Sequence, residues 1–358
     1  MRAAVTRHGG IEVVEMAEPT PGSGHVLVRP LACGICGSDL HAAQDMAHFV
    51  ELGARAGMPS ALDPEQGVVF GHEFCAEIVD YGPDTARTLP IGTRVCSVPT
   101  LLGAAGPEAV GYSNTYPGAL AELMVLQEML LNPVPDGLST DLAALTEPLA
   151  VGEHAVGLAG LDGTEACLVI GCGPVGLAVI AALKGRGQGP IIAADFSPRR
   201  RQLAELFGAD QVLDPAATSP YGKWDELGVP ATMMDRAARE MFGASFIEAV
   251  IFEAVGVQGV LQTIIDGAPP RAKIVVVGVC MQPDEIEPFL GIVKELQFRF
   301  AFGYSPVEFA ATLGRLAEGV PGADALVTDV VDLDGTAGAF AALRNPGESG
   351  KVLVRTQD

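Results

Sequence analysis

Basic residues are scarce. Lysine and arginine together number 22 against 44 aspartates and glutamates in 358 residues, a formal net charge of −22. Such a field repels phosphate backbones and excludes nucleic acid as an expected partner. Charge of either sign is thin, at 18%, while hydrophobic residues reach 49%. A disordered chain has the opposite balance. Cysteines number seven. An odd count in a long chain argues against a secreted disulfide framework and for reduced thiols in a cytoplasm. Residues 1–8 lack the apolar core of a secretory leader. No repeat or low-complexity tract is present.

Long apolar runs are also lacking, with one apparent exception. Residues 166–183 carry no charge, near the length of a membrane span. Gly171, Gly173, Pro174 and Gly176 interrupt the run. It reads as a buried strand, a turn and a buried helix, so no membrane association is expected.

The length suggests two domains. The first 150 residues read as short strands at 26–28, 77–81 and 93–98, punctuated by glycine and proline. Residues 46–56 read as a helix, and the stretch through Pro59 and Pro64 as loop. Beyond 150, apolar strands at 167–170, 191–194, 211–213, 250–252 and 274–277 alternate with helical stretches at 175–184 and 199–207. Gly208 stops the second helix. This is an α/β pattern with a parallel sheet covered on both faces. A helix at 306–318 and a strand at 352–354 close the chain.

Gly171-Cys-Gly173-Pro174-Val175-Gly176 is a G-x-G-x-x-G between the strand at 167–170 and an apolar helix. In that context Gly171 permits the tight turn, Gly173 lets a pyrophosphate approach, and Gly176 lets helix and strand pack. The helix N-terminus offers free N–H groups to phosphate. Pro174 has none to give but suits a first turn. Asp195 follows nineteen residues beyond Gly176, where a carboxylate accepts ribose hydroxyls and repels a 2′-phosphate, favouring NAD over NADP. Arg199, Arg200 and Arg201 suit either a 2′-phosphate or a solvated helix start.

Metal-ligand residue types gather in Cys33-Gly-Ile-Cys36-Gly-Ser38-Asp39-Leu-His41 and in Gly71-His72-Glu73. The two cysteines are a redox dithiol, half of a structural zinc site, or a source of one catalytic ligand. No thioredoxin-like unit surrounds them and no second C-x-x-C exists. A catalytic zinc needs three protein ligands and an open position. Cys36 and His72 supply two, and the third is Glu73 or Glu147, an acid within an apolar stretch. Glu147 also fits a plain helix N-terminus before Pro148. Asp39 suits the role of holding a ligand histidine in one tautomer.

Together these motifs, with Glu147-Pro-Leu149, resemble the zinc-dependent medium-chain alcohol dehydrogenases, and within them the sorbitol, threonine and butanediol dehydrogenase type. The resemblance spans almost the whole chain. It implies a GroES-like β-rich catalytic domain, residues 1–148 and 297–358, around a Rossmann domain, residues 149–296. It implies zinc on Cys36 and His72, completed by Glu73 or Glu147, and hydride exchange between an alcohol or ketone and NAD. The alcohol's proton is expected to leave through Ser38, the cofactor ribose and His41. The backbone of Val277, Gly278 and Val279 is expected at the carboxamide, and Arg200 and Arg344 near the phosphates. Lys351 fits a Gly-Lys-Val pattern, although a turn lysine is commonly solvated. A homodimer or homotetramer is expected. Many relatives carry a structural zinc on four cysteines, but residues 97–112 contain none, so one zinc is expected. Residues 42–70 look long and apolar, either lining the substrate cleft or packing as a surface helix. His154 reads as packing. The competing readings are a non-catalytic nucleotide-binding protein and a zinc-free quinone reductase, which would lack the Cys36 and His72 pair.

Overall fold

Ten residues, His25–Gly34, form the strand around which the first half of the chain is built. Its alternating burial keeps one face in the core. It pairs antiparallel with Glu73–Tyr81, Met124–Gln127 and Lys351–Arg355. Gly34 lies opposite both Glu73 and Leu353. The strand end leading to Cys36 is thus flanked by Glu73 on one side and by the last strand on the other. The full sheet runs Leu131–Pro133, Arg94–Ser97, Glu73–Tyr81, His25–Gly34, Lys351–Arg355, Val327–Asp332. Its core includes the fully buried Phe70, Ile78, Met124 and Leu126.

The computed structural model describes residues 1–58, 62–103, 106–344, 347 and 349–357. Pro59, in the stretch read as loop, lies outside them. The chain divides into two units: Met1–Glu147 with Phe309–Gly319 and Val327–Asp358, and Pro148–Glu308 with Val320–Leu326.

In the second unit six strands form one parallel sheet, in the order Gln211–Leu213, Ile191–Ala194, Ala166–Ile170, Ala249–Glu253, Lys273–Val276, Gln297–Phe300. By position in the chain this is 3-2-1-4-5-6, the doubly wound order of dinucleotide-binding folds. The second unit therefore has the Rossmann order, and the first is a β-rich unit of the kind that the resemblance implies. The order reverses beside Ala166–Ile170, so the turn after that strand lies at the switch point where such sheets bind ligands. The uncharged run at 166–183 is this strand followed by the helix Pro174–Gly185. No helix among the described residues is long and apolar enough to cross a membrane.

The seam expected at residue 296 falls one strand early. Gln297–Phe300 pairs with Lys273–Val276 and extends the parallel sheet. Its exposed side chains hid it from a periodicity reading tuned to buried strands. The strand expected at 274–277 ends at Val276.

Candidate active site

Cys36 ends the excursion from the central strand and caps the helix Gly37–Gln44. Glu73 begins the neighbouring strand of the sheet, and His72 immediately precedes it. Among the described residues, the group of three or more ligand-type side chains close enough to hold an ion is Cys36, His72 and Glu73. One ligand atom from each lies within 4.8 Å of the others. A sulfur, an imidazole and a carboxylate so placed fit a catalytic zinc with an open fourth position.

Asp39 organises this corner from full burial. Its Oδ2 accepts the Cys36 backbone N–H at 3.2 Å. Its Oδ1 lies 3.3 Å from His72 Nδ1. A proton on Nδ1 facing the carboxylate leaves Nε2 as the ligand nitrogen. Burial works against a charged His72, but the Asp39 carboxylate and the Cys36 sulfur outweigh it and hold the ring's pKa well above its ordinary value. A metal held at Nε2 would require the ring without its Nε2 proton, with the Nδ1 proton kept towards Asp39. Tyr112 completes the group. Its hydroxyl lies 2.7 Å from Asp39 Oδ1 and 2.8 Å from Ser38 Oγ. Burial and the Asp39 charge push its pKa well above the usual phenol value, so it stays protonated. His41 stands one turn beyond Ser38 on the same helix, half-buried.

Lys351 is not a solvated turn lysine. Its side chain is 3% exposed, and Nζ lies 2.8 Å from Glu73 Oε1 and 2.7 Å from Oε2. It also donates to the Ile35 carbonyl at 3.2 Å. Burial alone would lower its pKa, but the Glu73 carboxylate and the Cys36 sulfur raise it. Glu147 is buried in the first turn of Thr146–Ala159 and also acts on Lys351 through its charge. It is not in the three-residue group. Cys33 is fully buried, and its thiol is pushed well up by desolvation and then by Asp39 and Glu73. That describes a core thiol rather than half of a redox pair.

In the second unit Gly171 has φ +90°, a conformation that disfavours any side chain. A Cβ on Gly176 would stand 1.8 Å from the Gly171 carbonyl oxygen, so glycine is required for the helix to meet the strand. Gly173 caps the helix, with Pro174 in its first turn and Val175 next. Asp195 Oδ2 accepts the Cys172 N–H at 2.8 Å, and Oδ1 accepts the Ser197 N–H at 2.7 Å. The acid is thereby fixed to the glycine turn, with lone pairs left for ribose hydroxyls. Arg200 Nη1 lies 3.9 Å from where a Gly173 Cβ would be. Arg201 is held by the Asp195 and Phe196 carbonyls and by Asp214.

Several sequence expectations are corrected or displaced. The N–H groups of Val277 and Gly278 already donate to the Glu253 carbonyl, at 2.8 and 2.9 Å. The backbone carbonyls of this stretch and the Val279 N–H are not engaged in those two bonds. His154 is not apolar packing: its Nδ1 faces Glu308 at 3.2 Å. Arg344 is exposed at the C-cap of Thr336–Leu343. The long segment after His41 forms Met46–Arg55 with no fully buried residue. Met46, Phe49 and Val50 pack on the core, and Phe49 stacks on Tyr112 with ring centroids 5.2 Å apart. Within the cysteine-free stretch 97–112, Thr100–Gly103 and Gly106–Ala109 pair antiparallel. Tyr112 belongs to no motif, and only the tertiary fold brings it 73 residues back to Asp39.

A β-rich unit with a sulfur, imidazole and carboxylate cluster and, in the same chain, a dinucleotide-type sheet together define a metal- and nucleotide-dependent dehydrogenase. The chain belongs to the zinc-binding alcohol dehydrogenases of the medium-chain type. Residues 22–136 match the alcohol dehydrogenase GroES-like domain, and residues 174–318 match the zinc-binding dehydrogenase domain. The chain is 32% identical over 354 residues to (R,R)-butanediol dehydrogenase of Bacillus subtilis, covering 96% of each. It is 28% identical over 376 residues to sorbitol dehydrogenase of the same organism, covering 99% of this chain and 97% of that one. The crystal structure of 2R,3R-butanediol dehydrogenase from Bacillus subtilis superposes with a TM-score of 0.79 at 30% identity, covering 99% of both chains. The protein is thus a zinc-dependent alcohol or polyol oxidoreductase that uses a nicotinamide nucleotide.

Proposed function

We propose that the enzyme oxidises a secondary alcohol or polyol with NAD, using one zinc held by Cys36, His72 and Glu73. The observation supporting this is the convergence of those three side chains within 4.8 Å, with Asp39 set against His72 Nδ1. Glu147, whose charge also acts on Lys351, is the alternative third ligand. Bound zinc supplies a Lewis acid, and the nicotinamide accepts the hydride. The chain's residues do the rest. Asp39 fixes the His72 tautomer. Lys351 balances the Glu73 charge in a buried corner. Ser38 Oγ takes the proton of the reacting hydroxyl, and half-buried His41, one helical turn on, passes it towards solvent.

NAD is favoured over NADP because Asp195 is anchored at the end of its strand and would repel a 2′-phosphate. Arg201, already bound to carbonyls and Asp214, does not offset it. Arg200, near the Gly173 turn, and exposed Arg344 are the proposed phosphate partners. The cytoplasm is the proposed location, in keeping with seven cysteines that are all free. A homo-oligomer is proposed through the open edge of the parallel sheet. There Phe300 and Phe302 are 69% and 80% exposed, and Phe289 and Ile292 of the preceding helix are each 72% exposed. An apolar sheet edge of this kind invites pairing with a second copy.

The direct test is NAD reduction over a panel of polyols and of aliphatic and aromatic secondary alcohols, with zinc measured in the same sample. Turnover on a secondary alcohol or polyol with about one zinc per chain supports the proposal. Zinc-loaded protein that reduces NAD with none of them contradicts it.

A further inference from the structure

The dehydrogenase reading assigns Ser38, Asp39 and His72 but gives nothing to the side chain that touches Ser38 and Asp39 from a distant loop, Tyr112. The Tyr112 ring is clamped: Phe49 stacks on it at an interplanar angle of 18°, and Phe70 and His72 approach at 5.7 and 5.4 Å between centroids. Its hydroxyl meets both Ser38 and Asp39 at hydrogen-bond distance. A phenol has one proton to donate, and a carboxylate only accepts. The Tyr112 proton therefore goes to Asp39, and the Tyr112 oxygen accepts from Ser38. The Ser38 hydroxyl is turned towards Tyr112, which leaves its lone pairs for a hydroxyl on the other side.

We propose that Tyr112 is a positioning residue for the proton-accepting Ser38: it ties Ser38 Oγ to Asp39, so the acceptor is held in fixed register with the carboxylate that orients His72. The inference rests on the zinc dehydrogenase reading. The transfer itself balances without Tyr112. The alcohol O–H bond breaks, an O–H bond forms at Ser38, and Ser38's former proton rotates off Tyr112 and leaves by way of His41. The stack from Phe49 adds a purpose for the helix Met46–Arg55, which holds the Tyr112 ring from outside the motifs.

The test uses zinc-loaded wild type, Tyr112→Phe, Ser38→Ala and the double variant. Phenylalanine keeps the ring packing and removes only the hydroxyl. For each protein kcat, KM, zinc content and NADH binding are measured. Tyr112→Phe is expected to lower kcat about tenfold, a part of the usual general-base contribution, with KM changed less than about twofold. Zinc content and NADH binding stay at wild-type level. In the Ser38→Ala background the same change adds nothing, because Tyr112 acts through Ser38. Three results overturn the proposal: an unchanged kcat, an equal loss with and without Ser38, or a loss that tracks missing zinc. Wild type without zinc-dependent turnover overturns the underlying reading itself, and the proposal with it.

Discussion

Lys351 Nζ lies 2.7 Å from Glu73 Oε2, with both side chains almost fully buried. The pair joins the last strand of the chain to the residue after His72, across the central strand. A buried pair loses about 3–5 kcal/mol when one partner is removed, because the other charge is left without compensation. Lys351→Met should therefore lower stability by an amount of that order, read from the denaturant midpoint. Adding Glu73→Gln should recover part of the loss. A Lys351→Met protein as stable as wild type contradicts the burial of the pair.

Asp195 is held by two backbone N–H groups at the end of its strand. Replacing it with alanine removes the ribose acceptor and the charge that opposes a 2′-phosphate. The NAD:NADP ratio of kcat/KM should fall by at least about tenfold, equivalent to about 1.4 kcal/mol. An unchanged ratio assigns cofactor choice to other residues.

Glu308 faces His154 and accepts from both the backbone and the hydroxyl of Ser305. Burial alone would raise its pKa, but the Ser305 and His154 bonds lower it below the ordinary carboxylate value. The folded pKa is thus below the unfolded one. The contribution to stability is complete above the unfolded pKa and is lost as pH falls through the folded pKa. Glu308→Gln should cost about 1 kcal/mol at pH 7 and progressively less in acid. A gap between the two proteins that does not shrink with acidification rules out this origin.

The parts of the site that lie in one local stretch were legible in the sequence. Cys36, Ser38, Asp39 and His41 share one helix start, and His72 and Glu73 are adjacent. The glycine turn and Asp195 are linked by a βαβ unit whose spacing is fixed by geometry. Contacts made only by the tertiary fold were not legible. Lys351 looks like a turn lysine until the last strand is laid beside His25–Gly34. Tyr112 sits in a loop with no periodicity, and its partners on two distant helices are met only in three dimensions. His154 lies in an apolar helix, so its charged partner shows only in three dimensions. Gln297–Phe300 is not legible in the sequence because an exposed edge strand lacks the apolar run that marks its neighbours. Val277 and Gly278 follow the strand Lys273–Val276, and a sequence does not show that their N–H groups already have an acceptor.

The most direct measurement removes the metal from the folded enzyme. A thiol-protecting buffer with chelator, followed by dialysis, should abolish alcohol-dependent NAD reduction while NADH binding persists, because the glycine turn and Asp195 lie apart in sequence from Cys36, His72 and Glu73. Adding back about one equivalent of zinc should restore turnover. Full activity in a sample verified to be free of metal would contradict the zinc site on which the whole assignment of roles depends.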